Sequence, residues 1–139
     1  MSKILDLLLR PETQDVQKDL PRGSYEILRL SQLYGEPFVL HLRGVPYARA
    51  LELKDMQDYE IQTVLAGDAD GVWKSSELLE VHGPTPAEAI KSLLLPGEIR
   101  AVSVAVERLS GYRRPVLRPW GEDEVTDVDG AVAEELEKN

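Results

Sequence analysis

The chain has 139 residues, enough for one domain with a core of its own, and its 42 % hydrophobic and 29 % charged composition is that of a soluble globular protein. It contains no cysteine, which excludes a disulfide framework, a thiolate metal site and a cysteine nucleophile. The net charge is −9, and residues 120–139 carry eight carboxylates against Lys138 alone, a net −7 that leaves about −2 for the rest.

The opening MSKILDLLLRPE is too short and too interrupted for an export signal or a membrane span, which predicts a soluble, unexported protein. Residues 3–9 are expected to form a short helix whose Ile4, Leu5 and Leu8 dock on the body of the same chain. An arm that docks on a partner is the alternative. The polar stretch PETQDVQKDLPRGS then reads as a linker.

Two strand candidates follow, Tyr25 to Ser31 and Phe38 to Arg43, with Tyr34-Gly35-Glu36-Pro37 as the turn of a β-hairpin. The alternation of the second puts Phe38, Leu40 and Leu42 on one face and His41 on the other, so His41 is expected to be half-exposed. From Pro46 to about residue 66 the apolar spacing predicts a helix, with a break near Asp58.

AGDADGVWKSSELL approaches the calcium-loop pattern, with Asp68, Asp70, Gly71 and Glu77 at positions 3, 5, 6 and 12 counted from Ala66. Position 1 requires a carboxylate and is Ala66, so an Asp-Gly turn before a helix capped at Ser75 or Ser76 is preferred. His82 falls at the end of that helix. Two distant histidines make no case for metal or acid/base chemistry.

Thr85 is a helix cap, with Pro86 at the first helical position and Glu88 in place for a capping box; Ile90, Leu93 and Leu94 continue that helix to the Pro96-Gly97 break. Beyond it Ile99, Val102, Val106 and Leu109 form one helical stripe that stops at Gly111. The run Val102, Val104, Val106 also suits a strand; the start and stop signals favour helix. Plain core is the preferred reading of Ile99, Val102, Val106 and Leu109, and the same stripe supplies the candidate partner-binding residues.

Arg108, Arg113, Arg114 and Arg118 form a basic group, read as compensated within the chain rather than as a nucleic-acid site. The rest is expected to be a flexible acidic tail from residue 113, with Trp120 tacking it to the body and a short helix from Ala131 to Lys138. Neither a Walker loop nor GxGxxG nor GxSxG occurs, so no enzyme or cofactor is expected.

The fold class expected from these elements is α+β: a mainly helical single domain over residues 1–112 with one β-hairpin, and a flexible acidic C-terminal tail over 113–139. In SKILDLLL, EILRLSQLYGEPFVLHL, ELLEVHGPTPAEAIKSLLLPGEI and LSGY, spread over most of residues 2–112, the chain resembles the tail assembly chaperones of phages and PBSX-like prophages, the XkdN-like family. The resemblance implies a non-enzymatic protein of the bacterial host's cytoplasm, absent from the mature virion. Such a protein binds the tape measure protein and keeps it soluble during tail assembly, without metal, nucleic acid or membrane, and self-association goes with that role. A small calcium-binding regulatory module and a structural tail completion protein are the alternatives.

Overall fold

The structure, a computed structural model, describes residues 2–121. The acidic segment from Glu122 and the helix expected at Ala131 to Lys138 lie outside the described residues. Among the described residues the protein is α+β, with seven α-helices and a two-stranded antiparallel hairpin.

Strand β1 (Arg22–Glu26) pairs with β2 (Val39–Arg43) in the register Arg22 to Arg43 through Glu26 to Val39. The connection is not the tight turn expected: helix α2 (Leu28–Tyr34) fills it. Ile27 and Leu30, three residues apart, both turn inward, and that is helical rather than strand spacing. Gly35 ends α2 at φ 73°, a left-handed conformation that favours glycine, and its N–H returns to the Ser31 carbonyl. With residues 28–31 helical, the strand moves upstream into residues expected to be linker. The Gly44 N–H closes the pair on the Pro21 carbonyl at 2.9 Å. In β2 the alternation holds: Leu40 and Leu42 are buried and His41 is exposed, its Nδ1 3.0 Å from Ser24 Oγ.

The next segment breaks as expected, into α3 (Tyr47–Lys54) and α4 (Tyr59–Gly67). A short 3-10 turn, Val72–Lys74, buries Trp73 and leads to α5 (Ser76–His82). Helix α6 (Pro86–Leu93) begins with Thr85 Oγ1 accepting the Glu88 N–H at 3.2 Å. Helix α7 (Pro96–Leu109) is the longest and resolves the helix-or-strand ambiguity at Val102–Val106. Glu98 Oε1 accepts the Leu95 N–H at its start. It stops in a Schellman motif, Tyr112 N–H to Glu107 O and Gly111 N–H to Arg108 O, with Gly111 at φ 95°.

Ile99, Val102 and Val106 of α7 are the centre of the core, packed with Leu42, Val64 and Ile90, and Leu109 lies partly buried at its edge. Helices α4 and α7 cross closely because α4 ends in Gly67, where a Cβ would run into the methyl groups of Val106. Ile99, Val102 and Val106 thus take the core reading preferred from the sequence, their face of α7 being covered by the protein's own sheet and helices.

Candidate partner-binding surface

Helix α1 (Lys3–Leu8) forms from KILDLL with Ser2 as its cap, Oγ accepting the Ile4 N–H at 3.1 Å. The expected docking on the body does not occur. No residue of α1 is buried, Ile4 is 68 % and Leu8 59 % exposed, and Leu5, Leu7 and Leu9 are exposed beside them. Residues 2–19 are exposed throughout. The hydrogen bonds after the helix are local, such as Thr13 Oγ1 to Leu7 O and Gln17 N–H to Asp15 Oδ1. A six-residue helix is marginal in water by propensity alone. One that also presents four large apolar side chains to solvent, with Leu9 at its cap, has the surface of an element that gains its stability against something else.

A second apolar area lies on the body. Leu28 and Leu33 on the outer side of α2 are 70 % and 67 % exposed, and Tyr34 stands next to Phe38 with ring centroids 6.2 Å apart. Beside them a groove of about 440 Å³ runs between β1–α2 and α7, walled by Tyr25, Leu28, Ala101 and Ala105 with Val102 at its floor. The small residues of α7 keep it open. Arg29 closes its rim, with Nε and Nη2 each 2.9 Å from a Glu98 carboxylate oxygen and a further bond from Nη2 to the Leu93 carbonyl. That fork, followed by the Leu95 N–H, holds the Glu98 carboxyl below the ordinary glutamate range.

On the other side of α7 a hollow of about 540 Å³ is lined by Val45, Leu51, Tyr59, Val106 and Tyr112. In its polar corner the Tyr59 hydroxyl donates to Glu107 Oε2 at 2.6 Å and Arg113 Nε donates to Oε1 at 2.7 Å. Burial, and then the hydrogen bond and charge of Glu107, push the Tyr59 phenol up to about 12. A phenol held neutral and donating to a carboxylate is a latch rather than an acid at neutral pH. Arg113, one residue past the expected end of the folded part, is thus tied to the body, whereas Trp120, expected to pack on the body, is 96 % exposed.

Of the sequence-predicted stripe, only Val102 reaches the body groove, as floor; Val106 lines the Tyr59 hollow and Ile99 a smaller cleft with Lys91 and Leu94. In the calcium-like loop, Asp68 is buried and spends Oδ1 on the Asp70 N–H and Oδ2 on the Trp73 N–H, the turn expected there. Among the described residues no three His, Asp or Glu side chains are placed to share a metal ion, and no helix is long and apolar enough to cross a membrane. Arg29, Glu98 and the Tyr59–Glu107–Arg113 set were missed in sequence, because each joins residues distant in the chain and no local pattern announces them. The arm was visible as an amphipathic helix, but not that its apolar side chains stay exposed.

Compared with known proteins, the chain matches no family model, no curated protein and no solved structure.

Proposed function

We propose that the chain is a non-enzymatic tail assembly chaperone, which binds the tape measure protein of its phage or prophage in the host cytoplasm and keeps it soluble until the tail tube forms. One observation carries the reading: an apolar helical arm, α1, is exposed and has no partner among the described residues. The resemblance of the chain to the XkdN-like family supplies the kind of partner. A tape measure protein is long and helical, and its apolar stripes need temporary cover that polymerising tube subunits can later replace.

Ile4, Leu5 and Leu8 have the spacing to lie along such a stripe, and burying the three contributes about 5 kcal/mol before ordering costs. That magnitude suits reversible binding in many copies rather than a permanent complex. Residues 9–20 give the arm reach, while the groove beside Leu28 offers a second apolar contact on the body. Self-association of copies along one client belongs to the same proposal, as does absence from the finished virion. Co-expression with the tape measure protein tests it: the client should move to the soluble fraction and co-purify with this chain.

A further inference from the structure

The sheet holds two arginines directly opposite each other. Arg22 pairs with Arg43 in register, both are exposed, and neither has a carboxylate partner among the described residues. Directly opposed like charges destabilise a strand pair, so this doublet is a local cost in a chain whose net charge is −9.

Arg43 also lines a hollow of about 490 Å³ together with Arg49 and Lys74. These come from three separate elements: the end of β2, the first turn of α3, and the 3-10 turn before α5. Lys74 likewise has no carboxylate partner, and Arg49 reaches only Glu52 of its own helix, at 3.3 Å between exposed side chains. The first turn of α3 forms part of the same wall. Its cap position is Pro46, also in the lining, which has no side-chain acceptor for the free amides, so the helix begins uncapped at the edge of the hollow. Asp68 is the one carboxylate in the lining, and both its oxygens already accept backbone N–H groups.

We propose that this hollow binds a phosphate-bearing small molecule. Residues bearing two guanidinium groups and an ammonium line it beside the uncapped start of α3, and a multiply charged oxyanion can satisfy several of them at once, as a single carboxylate does not. The volume accommodates a diphosphate with a small organic body. Bound anion would also relieve the Arg22–Arg43 repulsion, so ligand and fold would support each other.

The test is titration of the full chain with pyrophosphate at low ionic strength, followed by amide chemical shifts. Saturable shifts are expected around Gly44–Ala50 and Gly71–Lys74, with affinity lowered about tenfold or more by Arg43→Gln and by Lys74→Gln and unchanged by Lys91→Gln. Arg43→Gln touches no core contact and removes a like-charge pair, so its thermal midpoint should equal or exceed the wild type's, which keeps the comparison interpretable. Absence of saturable shifts, shifts spread evenly over the surface cations, or full affinity in both variants would overturn the proposal.

Discussion

Arg29 and Glu98, 69 residues apart, meet in a two-pronged pair in which both carboxylate oxygens are used, and one of them also receives the Leu95 N–H that opens α7. A single carboxylate thereby caps the central helix and fastens α2 to it. Glu98→Gln keeps one acceptor but loses the charge, and its thermal midpoint at neutral pH should fall by several degrees. Because the folded protein lowers the Glu98 pKa, this stabilisation is present above the ordinary glutamate range and is lost as the pH falls through the folded value. Thermal melts across pH should show the gap between wild type and variant closing in acid; a gap that stays constant with pH would place the effect in packing instead.

Arg113 decides where the folded part ends. A chain stopped at Arg114 keeps the bond to Glu107 and should melt within about 2 °C of the full chain. A chain stopped at Tyr112 leaves a part-buried carboxylate with the Tyr59 hydroxyl alone, at a cost of about 1–2 kcal/mol, or roughly 3–8 °C. Equal midpoints for the two truncations would show that the bridge contributes nothing.

Tyr59 should ionise late, above the ordinary tyrosine range. Its folded pKa of about 12 lies above the ordinary tyrosine value of 10.0, so the unfolded chain loses this proton first. The associated stability is full below pH 10 and disappears as the pH rises through 12. Phenolate absorbance should show one late tyrosine in the wild type and none in Tyr59→Phe. A late tyrosine that persists in the variant would assign the shift elsewhere.

The parts of the fold that local chemistry specifies were legible in the chain. Thr85 with Pro86, the Pro96-Gly97 break and Gly111 define α6 and α7, and the alternation of Leu40, His41 and Leu42 defines β2. Strand β1 was not legible, because its outward positions are Arg22, Ser24 and Glu26 and its inward ones only Gly23 and Tyr25, so it reads as linker. Helix α2 was hidden by an apolar run that satisfies either period until Ile27 and Leu30 are seen to share a face. The site was less legible still. Spacing marks the apolar stripe of α7 and the apolar stripe of α1 in the same way, and only tertiary packing shows that the first is enclosed and the second is not.

That difference makes the arm the place to test the function. The measurement is the soluble fraction of the tape measure protein co-expressed with an excess of the wild-type chain or of Leu5→Asp/Leu8→Asp. Since neither leucine is buried, the variant's thermal midpoint should match the wild type's. The account predicts a soluble, co-purifying client with the wild type and a client lost to the pellet with the variant. A client that stays insoluble beside the wild type would contradict the chaperone reading, and one carried equally well by the variant would contradict the role of the arm.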